Sequence, residues 1–168
     1  MKAIIYTSNT GSTAEYAQLL GNELNFPVHS LQQAKNKVPA GSEIIYLGWI
    51  MAGGIKGYKE AAKLYKVRAV CGVGMGQTGT QLKEVRDKNA IPQRIPLFTL
   101  QGNFDVKKLH GVYRFMMNVM VKTAGKGLAN KTDRTPEEDD MLDMMINGGK
   151  RVSLQNLKAV TEWYKSIN

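Results

Sequence analysis

The sequence predicts an α/β fold, a parallel sheet with helices on both faces. Short apolar runs alternate with helical patterns in five units between residues 1 and 100, and glycine-rich turns follow the first, third and fourth runs. This alternation is typical of parallel strands that are joined by crossover helices. The chain has 168 residues, enough for one domain with a sizeable core, so we treat 1–168 as a single domain.

The first unit contains the most informative turn in the chain. An apolar run at residues 3–6 leads to a helical pattern at 13–24. Between them lies a turn rich in hydroxyl groups: Ser8, Asn9, Thr10, Gly11, Ser12 and Thr13. At a helix N-terminus such a turn presents free backbone N–H groups and hydroxyl donors, which bind phosphate. The sequence therefore predicts a phosphate-binding loop. In a simpler alternative, Ser12 caps the helix and Glu15 completes a capping box.

The other units follow in chain order. Their strands are predicted at residues 26–29, 43–48, 67–73 and 95–100, and helices at 58–66 and 81–88. The segment 38–42 has the proline, glycine and serine of a turn. These assignments leave the chain between the second strand and that turn without a predicted element.

Glycine-rich loops follow the third and fourth strands as well as the first. Ligands bind outside the carboxyl ends of parallel strands, so all three loops are expected to meet at one edge of the sheet. The candidate binding residues in the two later loops are Trp49, Ile50, Met51, Ala52, Gly53, Gly54, Val73, Gly74, Met75, Gly76 and Gln77. Residues 74–79 also match a dinucleotide fingerprint, but no acidic residue for a ribose occurs at 97–101.

The loop at residues 8–13, close after a first strand, resembles the phosphate loop of the flavodoxin family. This resemblance implies a flavodoxin-like, doubly wound, five-stranded parallel sheet with strand order 2-1-3-4-5 and FMN at its switch point. It also implies that residues 8–13 hold the FMN phosphate, and that 49–54 and 73–77 flank the isoalloxazine ring. The expected function is electron transfer through the flavin, as a carrier or as an oxidoreductase.

Two features depart from the flavodoxin pattern. The formal net charge is +9, and residues 57–134 contain 15 Lys and Arg against 5 Asp and Glu, whereas flavodoxin carriers are acidic. The expected redox partner is therefore not a basic protein, and acidic proteins or anionic lipid become candidates. Trp49 comes early in its loop, and no aromatic residue lies between Gly72 and Leu97. Met51 and Met75, with sulfur atoms that pack well on aromatic faces, are the alternative ring contacts.

Residues 102–150 form a helical extension that a short flavodoxin does not need. A Met-rich helix with flanking basic residues is predicted at 105–125, and a capped helix begins at Thr135 and ends at Asn147. Ser153 is expected to cap a closing helix. The segment 113–120 resembles the flavodoxin-type protoporphyrinogen dehydrogenases, which implies a porphyrin or quinone substrate. Peripheral membrane contact through helix 107–126 is then expected, unless that helix packs into the sheet.

Other chemistry has little support in the sequence. Cys71 is the single cysteine, so no internal disulfide is expected. This fits a reducing compartment, and the expected location is the cytoplasm, with membrane association as a further possibility. The N-terminal apolar run is too short for a signal peptide. His29 and His110 lack metal-ligand spacing, and no nucleic-acid motif occurs. A non-redox module that binds another phosphate ligand is the remaining alternative.

Overall fold

The computed structural model describes residues 1–103 and 111–167. Its sheet contains the strands β1 (Ala3–Thr7), β2 (Val28–Ser30), β3 (Glu43–Met51), β4 (Gly54–Ile55), β5 (Lys66–Gly74) and β6 (Leu97–Gln101). Five of them are parallel, in the order β2-β1-β3-β5-β6, and β4 pairs antiparallel with the end of β3. The predicted α/β class with a mostly parallel sheet is confirmed. The expectation of five strands is corrected to six, because the loop after β3 folds back as a hairpin.

Helices connect the parallel strands and complete the chain. They are α1 (Ser12–Leu24), α2 (Leu31–Lys37), α3 (Tyr58–Leu64), α4 (Leu82–Asn89), α5 (Gly111–Asn130), α6 (Pro136–Asn147) and α7 (Lys158–Ser166). A short 3-10 helix at Leu154–Leu157 precedes α7. Ser153 stands before it but makes no side-chain capping hydrogen bond, so the expected cap is wrong.

The sequence analysis missed α2, which has only seven residues. Its start is nevertheless local in origin: Ser30 accepts a hydrogen bond from the N–H of Gln33, and the Gln33 side chain accepts one from the N–H of Ser30. This capping box ends β2 and turns the chain directly into the helix. A helix of two turns buries only Leu31 and Ala34, too few apolar positions for a recognisable period.

The core consists of two layers, one on each face of the sheet. One contains Ile5, Ile44 and Tyr46 with buried residues of α2, α3 and α4. The other contains Ile4 and Ile45 with buried residues of α1 and α7. Neighbouring strand residues point to opposite faces, so strands that are covered on both sides read as continuous apolar runs.

The helical extension begins, within the described residues, at α5. This helix ends at Asn130, five residues beyond the predicted end, where the Arg134 side chain donates to the carbonyl oxygens of Leu128 and Lys131 at 3.1 and 2.7 Å. These bonds satisfy carbonyls that a helix C-terminus leaves unpaired. Residues 107–110 of the expected membrane-contact helix lie outside the described residues. Within residues 1–103 and 111–167, no helix has the length and apolar character to cross a membrane.

Candidate functional site

The loops that the sequence singled out extend from one edge of the sheet. β1, β3 and β5 end at Thr7, Met51 and Gly74, and their parallel pairing places all three carboxyl ends together. Thr7 pairs with Gly48, so β3 continues three residues beyond β1. The site therefore has a low wall at the first loop and a higher wall at the hairpin of β3 and β4.

The first loop leads into a helix N-terminus without a side-chain cap. Gly11 is the N-cap residue, with a left-handed φ of 105°, and no side chain makes a capping hydrogen bond there. Ser8 lies beside this end and its Oγ accepts a hydrogen bond from the Gly11 N–H at 3.2 Å. The first N–H groups of a helix have no intrahelical acceptor and carry the positive end of the helix dipole. This end of α1 can therefore receive a phosphate.

Ser12 does not form the capping box that the simpler alternative expects. It lies inside the first turn of α1, and its Oγ accepts a hydrogen bond from the Asn103 N–H at 3.0 Å. Ser12 is 6% exposed and Thr13 is 1% exposed, whereas Asn9 and Gly11 are exposed. The six loop residues thus divide into an outer part, 8–11, that faces solvent and an inner part, 12–13, that is buried.

Asn103 is a site residue that the sequence analysis did not select. Its Oδ1 accepts hydrogen bonds from the N–H groups of Arg151 and Val152 at 2.6 and 3.0 Å, and its Nδ2 donates to Glu15 at 3.1 Å. Together with its backbone bond to Ser12, these contacts join the start of α1 to the chain that follows α6. No local pattern marks this residue, because its partners are 48 to 91 residues away in the sequence.

Thr7, the last residue of β1, forms a hydrogen bond with a buried tyrosine. The Tyr46 hydroxyl lies 2.7 Å from Thr7 Oγ1 and donates to the Lys56 carbonyl oxygen, also at 2.7 Å. Burial raises the pKa of Tyr46, so its phenol stays protonated at any physiological pH. The contact connects the ends of β1 and β4 beneath the candidate site.

The loop after β3 is a tight hairpin. Ala52 and Gly53 both have positive φ, at 47° and 74°, as a two-residue hairpin turn of type I′ requires. From α4, Asn89 accepts a hydrogen bond from the Ile55 N–H at 2.7 Å and donates to the Gly53 carbonyl oxygen at 2.8 Å. Because β3 extends to Met51, three residues of the predicted loop belong to this strand: Trp49, Ile50 and Met51.

The residues predicted to flank the ring differ in their contacts. Ile50 packs against Gly72 of β5: a Cβ atom added to Gly72 would lie 2.8 Å from Ile50 Cδ1. Ile50 is therefore a packing residue. Trp49 is half-buried, and Lys56 Nζ lies 5.7 Å from its ring centroid, a cation–π contact. Met51 and Met75 are half-buried. These three side chains remain the candidates for contact with a flat ligand.

The loop after β5 is held by hydrogen bonds to β6. The Gly79 N–H donates to the Thr99 carbonyl oxygen at 3.0 Å, and Thr78 Oγ1 accepts from the Gln101 N–H at 3.0 Å. α4 begins only at Leu82, after Gln81. The third glycine of the dinucleotide fingerprint therefore does not open a helix, which removes the structural context that the fingerprint needs. Val73 is a core residue, whereas 74–77 are half-buried at the edge.

A cleft of ≈ 680 Å³ lies against the first loop. One wall is formed by the end of β1 and residues 8, 9 and 11, and the other by the start of α2. Lys35 and Glu60 form an ion pair at this wall, with 2.6 Å between Nζ and Oε1. No residue of 49–54 or 73–77 lines this cleft, so it is separate from the expected ring site.

The remaining chemistry is sparse. Cys71 is fully buried in β5, and burial raises the pKa of its thiol to about 12, so it stays protonated and unreactive. Among residues 1–103 and 111–167, no group of three or more His, Cys, Asp or Glu side chains is placed to hold a metal ion. His29 lies in β2, and His110 is outside the described residues.

Comparison of the chain with protein-family models, with curated proteins and with solved structures gives no match. The functional argument therefore depends on the residues and geometry of this chain.

Proposed function

We propose that this chain binds FMN in a flavodoxin-like domain and transfers electrons through the flavin. The observation that carries the proposal is the N-terminus of α1, which has no side-chain cap and lies at the carboxyl end of β1. β1 has β2 on one side and β3 on the other, so chain connections leave it in both directions. Ligands of open α/β sheets bind at such a switch point.

The strand order supports the flavodoxin-like assignment. When the two-residue β4 is left out and the parallel strands are numbered along the chain, their order is 2-1-3-4-5. This is the order of flavodoxin-like folds, with FMN at the switch point between the first and third strands. The helices also divide between the two faces, with α1 and α7 on one and α2, α3 and α4 on the other.

The donor set fits a phosphate monoester. Backbone N–H groups and the hydroxyls of Ser8 and Thr10 would hold it at the start of α1, while buried Ser12 and Thr13 support the turn. Trp49, Met51 and Met75 would contact the ring. When bound, FMN supplies one- and two-electron redox chemistry. The protein contributes binding, orientation and a local electrostatic field.

The test is retention of FMN by the purified protein. Visible flavin absorbance that stays with the protein through desalting, and that bleaches on anaerobic reduction, is the expected result. Alanine at Thr10 and Thr13 should weaken binding, Thr10 by loss of a donor and Thr13 by loosening the buried turn. A protein that remains colourless after incubation with FMN would instead support a non-redox module that holds another phosphate ligand.

A second candidate function is a porphyrinogen dehydrogenase with a quinone acceptor. It is favoured by Phe115 and Val119, which lie one turn apart on α5 and are 70% and 45% exposed. Exposed Lys122 and Lys126 follow on the same helix. A basic helix with exposed apolar side chains is suited to a membrane surface. Failure of the FMN-loaded protein to oxidise protoporphyrinogen with a quinone would leave the first candidate, with an acidic redox partner.

A further inference from the structure

The cleft beside the first loop faces away from the expected ring site. β2 and β3 flank β1 on opposite sides, and the cleft lies between the first loop and the start of α2, the helix that follows β2. The loops at 49–54 and 73–77 follow β3 and β5 on the other side. A phosphate at the α1 N-terminus would therefore lie at the edge of the cleft, with the flavin on one side and the part of the cleft against α2 on the other.

The size of the cleft exceeds what a mononucleotide needs at this position. Its volume of ≈ 680 Å³ is within the range of about 300–1,000 Å³ for small-molecule sites. FMN with its ring at the β3 and β5 loops ends at its phosphate, so it would fill only the part of the cleft beside residues 8, 9 and 11 and leave the part against α2 to water. A ligand that continues beyond the phosphate would use the cleft.

The lining of the cleft suits a nucleotide. The half-buried ring of Tyr6 supplies an aromatic surface for a base, and the exposed amide of Gln32 can form hydrogen bonds with its edge. The Glu60 carboxylate can accept hydrogen bonds from a ribose diol, and the Lys35 ammonium can pair with a phosphate. Lys35 and Glu60 are 48% and 52% exposed, so both can change partner without the cost of burying a charge.

We propose that the cleft receives the adenylate half of FAD, so that the chain binds the dinucleotide more tightly than FMN. The pyrophosphate would lie at the α1 N-terminus, between the flavin half at the β3 and β5 loops and the adenosine half against α2. This inference rests on the proposed function, because it places the flavin phosphate at residues 8–11. It adds a second nucleotide site, formed by Tyr6, Gln32, Lys35 and Glu60.

The experiment compares the dissociation constants of FAD, FMN and riboflavin for the full chain, measured by quenching of flavin fluorescence. We expect FAD to bind at least tenfold more tightly than FMN, and riboflavin to bind more weakly than both. FAD affinity equal to or below that of FMN would overturn the inference and leave the FMN site standing. If no flavin binds, the proposed function fails and this inference fails with it.

Two matched variants locate the adenylate half. Gln32→Trp adds bulk at an exposed position of the cleft wall, and Asn36→Trp adds the same bulk one turn later on α2, outside the lining. Gln32→Trp should weaken FAD binding at least tenfold and change FMN binding less than twofold. Asn36→Trp should leave both unchanged. Equal weakening of FMN and FAD by Gln32→Trp, or no weakening of FAD, would place the adenylate elsewhere and refute the inference.

Discussion

The N-termini of α1 and α6 carry the same short pattern, a hydroxyl residue followed three positions later by glutamate. In α6, Thr135 accepts a hydrogen bond from the Glu138 N–H at 3.3 Å, and Glu138 accepts one from the Thr135 N–H at 3.0 Å. In α1, Ser12 bonds to Asn103 and Glu15 bonds to the Asn103 side chain. Of these two helices, only α6 satisfies its own terminal N–H groups in this way.

The proposed phosphate site at α1 is consistent with this difference. The capping box of α6 stabilises the helix by its own local contacts, by about 1 kcal/mol. The same residue types occur in α1, but there Ser12 lies inside the first turn and the N-cap residue is Gly11. In the proposed function, a bound phosphate would accept hydrogen bonds from the first N–H groups of α1, which has no side-chain cap.

We expect the largest effect from giving α1 an anionic cap, because this change removes the difference between the two helix ends. Ser8→Asp places a carboxylate where Ser8 Oγ now accepts from the Gly11 N–H. At about 6 Å from a phosphate and an effective dielectric of about 20, its repulsion is about 2.8 kcal/mol, or a loss of about 100-fold in FMN affinity. Thermal stability should stay equal or rise, because an anion favours a helix N-terminus.

Flavin titration and thermal unfolding measure the two effects in the same preparation. Ser8→Asn is the matched control, since it keeps an acceptor of the same shape without charge and should change FMN affinity less than tenfold. Undiminished FMN binding by Ser8→Asp would mean that the phosphate does not lie at this helix end.

Asn103→Ala removes the side chain that joins the start of α1 to the chain that follows α6. The N–H groups of Arg151 and Val152 lose their acceptor, and we expect the free energy of unfolding to fall by about 2 kcal/mol. The backbone bond from residue 103 to Ser12 remains, so FMN affinity should change less than about threefold. Urea unfolding of this variant and of Asn103→Asp, which keeps the acceptor, provides the measurement. Equal losses in both variants would contradict the assignment of the acceptor role.

Thr135→Ala makes α6 resemble α1 in lacking a side-chain cap. The free energy of unfolding should fall by about 1 kcal/mol, with FMN affinity unchanged, because this helix end belongs to the extension. Thr135→Ser keeps the hydroxyl and should change the free energy of unfolding by no more than a few tenths of a kcal/mol. A large change in FMN affinity on Thr135→Ala would show that the two helix ends are coupled.

The smallest expected effect is a pH dependence at α6. The hydrogen bond from Lys131, followed by the one from the Thr135 N–H, lowers the pKa of Glu138 below its ordinary value of 4.5. Folding thus favours the ionised carboxylate, so its stabilising contribution is complete above about pH 4.5 and is lost as the pH falls through the lower folded-state value. Glu138→Gln should be less stable than the parent at pH 7, and this difference should shrink by pH 3. Urea unfolding at both pH values tests the sign; a constant difference would contradict it.

Much of this molecule follows from short-range sequence patterns. The parallel strands were predicted from apolar runs, because strands covered on both faces bury every side chain. The capping box at Thr135 and the helix end at Asn147 were also predicted, since a side chain and an N–H group three residues apart find each other locally. The class of the fold and the position of the first loop needed no tertiary information.

Tertiary structure decided the role of each residue at the candidate site. Ser12 has the local pattern of a cap, yet its hydroxyl oxygen accepts a hydrogen bond from the N–H of Asn103, 91 residues later. Ile50 has a loop position in the sequence, yet Gly72 of the neighbouring strand leaves the space into which it packs. The cleft needs β1 and α2 side by side, which only the strand order provides. Local patterns determine helices and strands because their hydrogen bonds span a few residues, whereas the site depends on partners that only the folded sheet brings together.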